Sequence, residues 1–477
     1  MAAAAWRRGF FSNPRQHATF MDRRSFVRQL AAASGVGLLA ASRALAQPVR
    51  GPEPWDLDFP EGTAPVPADF LGLSFETDRI ADGDYLLPGN QSLVALVRGL
   101  GPAGTVRIGG NSSDRPAGAS PARVGRVQLE RLASFLEVTG WRLIYGLNLG
   151  SGTAERAAAE AQLVAETVGT RLLAFQIGNE PDVYAGNGLR PGGYGVAPYV
   201  QDWNRFSAAI RDKVPGARFG GPDLSSDTSW LARFAQGSSF KPAFLSHHFY
   251  SEGPAGNPNV TEARMLASTP SLLHRLDVIR QAAPSGLPLR MTEINSVWNG
   301  GQPGVSDTFA AAVWAFNALC LMAARGWTGV NFHGNQGACY SPLQRQADGQ
   351  FYAAPIYYGL KLFSALGPSS VVASPDFDAG ASLRRYAMRD KEGRKRAVIV
   401  NLDANRPGVT TLRASTRGWR LRRFSAKSLP GPKAPPYGLP RPETLFGLDG
   451  PGERLQSIGD SIPVAIGPLT VLVLEIL

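Results

Sequence analysis

The chain has 477 residues, 44% apolar and 18% charged, the proportions of a soluble protein with a large buried core rather than of a disordered chain. Its 54 glycines and 37 prolines are scattered between apolar runs and read as tight loops, and two cysteines are too few for a disulfide framework. The net charge of +11 is largely local: seven arginines against Asp22 put +6 in residues 1–46, and the +5 that remains does not argue for DNA or RNA binding.

Taken in chain order, residues 1–46 read as an export signal. Asp22-Arg23-Arg24-Ser25-Phe26-Val27-Arg28 resembles a twin-arginine motif, the mildly apolar run Leu30 to Ala41 follows, and Ala44-Leu45-Ala46 supplies small residues for cleavage before Gln47. The apolar run falls short of the ~20 residues that span a bilayer, so a cleaved signal peptide is expected instead of a stable membrane anchor, with the mature chain periplasmic or secreted. Residues 47–67 form a Pro-rich lead-in, placed to add a strand to the C-terminal domain.

Residues 68–366 alternate between short apolar runs and helix-like segments. The expected strands are Phe70–Phe75, Thr105–Ile108, Arg142–Leu147, Leu172–Ile177, Ala217–Gly220, Phe244–Tyr250, Pro288–Thr292 and Gly329–Phe332. Between them, stretches such as Ala154–Val168 and Asp307–Ala324 read as helices. Eight such alternations are the pattern of an α/β (β/α)8 TIM barrel. In residues 367–477 the helices give way to regularly spaced β-runs, which predict a C-terminal antiparallel β-sandwich. Cys320 falls in an apolar helix and Cys339 in a loop, and both are expected to be free thiols.

Two glutamates carry the chemistry. Glu180 follows the expected fourth strand in Gly178-Asn179-Glu180-Pro181, and Glu293 follows the seventh in Leu289-Arg290-Met291-Thr292-Glu293. Carboxylates at the carboxyl ends of barrel strands share the face where such barrels keep their active sites. A pair of them can break a glycosidic bond, one protonating the leaving oxygen and the other attacking the anomeric carbon. Glu180 is assigned as the acid, with Asn179 beside it placed to bond a sugar 2-hydroxyl, and Glu293 as the nucleophile. Alternation along the sixth strand turns Ser246, His248 and Tyr250 to one face, so the Tyr250 hydroxyl reaches toward Glu293. Arg107, ending the second strand, is expected to keep a nearby carboxylate ionised. His247 and His248 read as packing and hydrogen-bonding groups, because no second ligand cluster accompanies them.

Several motifs in order give a more specific signal: Arg107-Ile108-Gly109-Gly110-Asn111, Gly146-Leu147-Asn148, Gly178-Asn179-Glu180-Pro181, Gly221-Pro222-Asp223, His247-His248-Phe249-Tyr250, and Glu293 through Gly301 continuing in Ser306-Asp307-Thr308-Phe309-Ala310-Ala311. From about Phe70 to Leu366 the chain resembles glycoside hydrolase family 79, the β-glucuronidase and heparanase group of the clan A retaining hydrolases. The resemblance implies Glu180 as acid/base, Glu293 as nucleophile, a C-terminal β-sandwich, and neither a metal nor an organic cofactor. It also implies that Tyr340 and backbone amides of the loop after strand eight, at Gly337 and Ala338, hold a uronic carboxylate. Glu76 is implied to bind ring hydroxyls, Asn111 to line the site, and Trp298 stands where the motif often has tyrosine. The expected activity is that of a retaining exo-β-glucuronidase on a carbohydrate bearing glucuronic acid, with no nucleic-acid partner. An endo-acting heparanase-like hydrolase, a neutral-sugar hydrolase of the same clan and a non-catalytic carbohydrate-binding protein are the alternatives.

Overall fold

The structure is a computed structural model that describes residues 55–57, 59–61, 63–81, 85–115, 124–373, 382–413, 418–425, 452–455 and 461–477. The expected signal peptide lies outside the described residues. Eight parallel strands close in sequence order into a barrel: β1 (Leu71–Glu76), β2 (Thr105–Gly109), β3 (Arg142–Leu147), β4 (Leu172–Ile177), β5 (Phe219–Leu224), β6 (Phe244–Glu252), β7 (Leu289–Val297) and β8 (Gly329–Gly334). Pairing of β1 with both β2 and β8 completes the closure. Buried on both faces, such strands are nearly continuous apolar runs; Leu172-Leu-Ala-Phe-Gln-Ile177 is one, and its single polar residue faces the barrel axis. The helices between strands bury one stripe each. Ala154–Val168 is representative: the Thr153 side chain caps it by accepting from Arg156 N–H, and Ala157, Ala158, Ala161 and Val164 face the barrel.

The third and fourth strands keep their expected bounds, and the largest differences fall in the fifth and the seventh. The fifth begins at Phe219 and runs on through Gly221-Pro222-Asp223 to Leu224, instead of spanning Ala217–Gly220. The seventh continues to Val297, so Glu293 stands inside β7 and not at its end. Gly221-Pro222 in the fifth and Glu293 in the seventh looked like strand stops, yet Asp223 and Glu293 point inward to a buried arginine, which lets a carboxylate occupy a strand position.

After the barrel a short ribbon pairs β9 (Leu343–Arg345) with β10 (Phe351–Ala353), and the C-terminal region then forms two antiparallel sheets. Six strands lie in the order β11-β12-β13-β18-β15-β16: β11 (Pro368–Ala373), β12 (Leu383–Asp390), β13 (Lys395–Asn401), β15 (Trp419–Phe424), β16 (Glu453–Leu455) and β18 (Thr470–Ile476). The second sheet pairs β14 (Gly408–Arg413) with β17 (Ser461–Ile466). Ile399, Leu412, Ile462, Val464, Ile466, Leu472 and Leu474 fill one buried cluster between them. From the lead-in, Trp55 donates its N–H to Thr411 O and accepts from Arg413 N–H, and Pro65 bridges to Ser370. Helix Phe309–Ala324 joins the two regions. It is buried almost all round, as its unbroken apolar sequence requires, with Phe309 against Phe424 and the Tyr386 hydroxyl donating to Asn317 Oδ1 at 2.7 Å.

Candidate active site

Strand alternation turns Ser74, Arg107, Gln176, Ser246 and Glu293 into the barrel near the carboxyl ends of the strands, where they meet. Arg107 is the centre of this group. Its Nη1 donates to Glu293 Oε2 at 2.7 Å and Ser74 Oγ at 3.0 Å. Its Nη2 donates to Asn179 Oδ1 and Asp223 Oδ2 at 2.6 Å each, and its Nε to Gln176 Oε1 at 3.2 Å. A guanidinium 1% exposed requires partners on every side, and the planar fork matches two carboxylates at once. Asp223 takes three further contacts, from Gln176 Nε2, Thr292 Oγ1 and the His248 ring. Burial would raise the Asp223 carboxyl, but Arg107 and His248 more than offset it and hold it far below the usual carboxylate range.

Glu293 is similarly supplied. Besides Arg107, the Tyr250 hydroxyl donates to its Oε1 at 2.7 Å, and His333 Nδ1 lies 3.6 Å from its Oε2. Burial pushes its pKa up, while His333, His248, Arg107 and the Tyr250 hydroxyl pull it down to about 2. Glu180 has a different setting. It sits just past β4 with φ of 52°, its N–H bonded to Asp223 O at 2.9 Å, so the ends of β4 and β5 are tied together. Among the described residues its carboxylate has one side-chain partner, His248 Nδ1 at 2.9 Å, and it is 18% exposed against 10% for Glu293. Behind it, buried Asp114 accepts from the N–H groups of Leu149, Gly150 and Asn179 and from the Tyr184 hydroxyl, which fixes the turn that presents Glu180.

Oxygens of Glu180 and Glu293 and a nitrogen of His248 all lie within 4.8 Å of one another. This is the one His/Cys/Asp/Glu trio with metal-ligand spacing among the described residues. Burial lowers the His248 pKa, but Asp223 and Glu293 raise it to about 10, so at neutral pH the ring is an imidazolium with no lone pair to give a cation. The trio is tied together by His248, whose ring nitrogens contact Glu180 and Asp223.

The glutamates open on a cavity of about 910 Å³. Glu76, Asn111, Tyr250, Trp298, Gly337, Ala338 and Tyr340 line it with them, whereas Arg107 lies beneath and Asn179 one layer behind. Asn179 is 4% exposed, spends Oδ1 on Arg107, and donates from Nδ2 to Asn111 Oδ1 at 3.1 Å, so Asn111 is the residue that faces the cavity there. Glu76 accepts from Ser112 N–H at 2.8 Å and from the Ser112 hydroxyl. Trp298 is 47% exposed on the rim. In the loop after β8, Ala338 N–H is already donated to Asn335 O and Cys339 N–H to Gly300 O. The Ala338 N–H is thus already engaged within the loop. Cys320 and Cys339 are free, as expected.

Sequence reading missed the partners: His248 as the contact of Glu180, Asp223 as the second anion on Arg107, and Gln176, Ser74 and Asp114 as supports. The alternation that turned His248 inward with Tyr250 was the available signal. Asp223 was visible only as part of a motif.

The geometry can now be set beside known proteins. No protein-family model matches the sequence. Over 315 residues it is 26% identical to a β-glucuronidase of Neurospora crassa, covering 55% of each protein. It is 28% identical to a β-glucuronidase of Aspergillus niger over 49% of this chain and 48% of that one, and 25% identical to a heparanase of Bos taurus over 52% and 46%. The resemblance to glycoside hydrolase family 79 drawn from the motifs is borne out. The chain spans about half the length of the curated relatives it matches. Among solved structures, a 4-O-α-L-rhamnosyl-β-D-glucuronidase from Fusarium oxysporum matches with a TM-score of 0.68 over 87% of this chain and 97% of that one, at 15% identity. A family 51 α-L-arabinofuranosidase from Bifidobacterium longum matches with 0.62 at 14% identity over 87% and 97%. These two likenesses establish the shared fold.

Proposed function

We propose that the chain is a retaining, exo-acting β-glucuronidase. The observation that carries the reading is the pair of carboxylates within 4.8 Å, of which only Glu293 is held by an arginine and a tyrosine hydroxyl. Retaining glycosidases set their two carboxyl groups about 5–5.5 Å apart, while inverting ones leave room for a water at about 6.5–9.5 Å. Ionised Glu293 attacks the anomeric carbon as Glu180 gives its proton to the leaving oxygen, forming a glycosyl ester on Glu293 and a free alcohol. Glu180, now a base, takes a proton from water, which attacks the anomeric carbon and breaks its bond to Glu293, so the sugar leaves with retained configuration, Glu293 as a carboxylate and Glu180 protonated. His248 orients Glu180 through the 2.9 Å bond.

Glucuronate specificity rests on the loop after β8. Gly337 with φ of 80° and the Tyr340 side chain line the wall beside Glu293, and an amide and a phenol together suit a carboxylate. A cavity of about 910 Å³ leaves room for a sugar together with its leaving group. We further read residues 1–46 as an export signal; no helix among the described residues is long and apolar enough to cross a membrane. N-terminal sequencing of the exported chain tests cleavage before Gln47.

The deciding assay is hydrolysis of 4-nitrophenyl β-glucuronide beside the β-glucoside and the α-arabinofuranoside, with Glu293→Gln as control. Release from the glucuronide, retained anomeric configuration by proton NMR, and loss in the variant support the reading. Preference for a neutral glycoside rejects the uronate pocket, and inversion rejects the nucleophile.

A further inference from the structure

We propose that the cavity wall on the Glu180 side is a leaving-group subsite for a carboxylate-bearing aglycone, with Arg275 as the residue that reads it; this rests on the glucuronidase reading above. The general acid marks the side on which the leaving group lies, because its proton goes to the glycosidic oxygen. Across the cavity from Tyr340, the lining comes from the loops after β4 and β5 and from helix Thr269–Ala282: Val183, Asn187, Ser225, Ser271 and Arg275. Ser271 and Arg275 are four residues apart on one helix, so both present to the same side. This part of the wall offers donors and one cation, and its only carboxylate is the catalytic Glu180.

Arg275 is held but not neutralised. Its Nη1 donates to Ser226 O at 2.6 Å, and no carboxylate lies within ion-pair distance of it among the described residues. The nearest acid in its electrostatic surroundings, Asp182, is itself occupied by the N–H groups of Ser225, Ser226 and Asp227. The other cavity arginine, Arg115, is by contrast paired with Asp78 at 2.9 Å. A half-buried guanidinium anchored through one nitrogen keeps its remaining donors for an anionic ligand.

The test compares kcat/KM for 4-carboxyphenyl and phenyl β-glucuronides in the full mature chain, in Arg275→Gln and in Arg275→Lys. The wild-type ratio is expected to exceed that of Arg275→Gln by roughly five- to tenfold, the scale of one partly exposed charge-assisted hydrogen bond, with Arg275→Lys between them. Taking the ratio cancels the intrinsic difference between the two leaving groups and any general loss of folded protein. Equal ratios in all three proteins overturn the proposal. If neither glucuronide is cleaved, the activity reading fails separately, and calorimetric binding of the same two compounds decides the subsite: tighter binding of the carboxylated one that Arg275→Gln abolishes supports it, and equal binding rejects it.

Discussion

Two arginines are buried in the same barrel, one near each end, and their surroundings differ. Arg107, toward the carboxyl ends of the strands, is held by Asp223 and Glu293; burial opposes its charge, but the two acids overcome that and raise its pKa. Arg290, at the start of β7, spends its hydrogen bonds on neutral groups: Nη1 donates to Thr328 O at 3.0 Å, Nη2 to Thr105 Oγ1 at 2.9 Å and Asp69 O at 3.3 Å, while the charges of Asp69 and Arg142 act on it in opposite directions. Burial there prevails and lowers its pKa to about 10. Its partner Thr105 likewise bonds a neutral group, with Asn331 Nδ2 donating to Thr105 O and Thr105 Oγ1 at 3.0 Å each. One end of the barrel is plugged by hydrogen bonds, while the other concentrates charge around two carboxylates. The chemistry belongs where the charge is balanced within a network that a substrate can perturb.

The sharpest way to break this contrast is at the nucleophile. Glu293→Gln should lower kcat on 4-nitrophenyl β-glucuronide by about four orders of magnitude or more, with the far-ultraviolet circular dichroism unchanged. The two arginines come next. Arg107→Met should abolish turnover and cost roughly 3–5 kcal/mol in urea unfolding, because Asp223 and Glu293 lose their buried cation. Arg290→Met should cost about 1–3 kcal/mol, the scale of carbonyls left unpaired, and leave kcat unchanged. Equal loss of activity in both variants would erase the distinction between the two ends. Tyr250→Phe removes one donor to Glu293 and should reduce kcat roughly a hundredfold; a variant with wild-type turnover would remove Tyr250 from the mechanism.

The smallest effect is the pH dependence of stability. Glu293 falls from an ordinary 4.5 to about 2 on folding, so its contribution is present above pH 4.5 and is lost as pH falls through 2. His248 rises from 6.5 to about 10, so its contribution is full below pH 6.5 and is lost as pH rises through 10. Urea midpoints should therefore fall on both sides of a plateau, and His248→Gln should flatten the alkaline slope between pH 6.5 and 10. An unchanged alkaline slope would show that His248 is not held as a cation.

Much of the fold was legible in the chain. Ala154–Val168 and Trp419–Phe424 form the elements read from their patterns, because helix and strand periodicities are local. Where the pattern failed, at the ends of β5 and β7, the cause lay far away in the sequence. Asp223 and Glu293 stay inside strands because Arg107, 116 and 186 residues distant, is waiting for them. Glu180 and Glu293 could be chosen from sequence, since each follows an apolar run in a recognisable motif; His248, Asp223 and Asp114 could not be given partners, because pairing depends on barrel closure.

The sequence by itself determined the barrel, the following β-region and the two candidate glutamates, since hydrophobic period and turn residues act over a few positions. Only the tertiary structure decided how those glutamates differ. Closure of β1 against β8 completes a water-poor interior in which Arg107, Tyr250 and His333 converge on Glu293 while His248 holds Glu180. In that interior, burial and neighbouring charge set the state of Glu293, and both are properties of the assembled barrel.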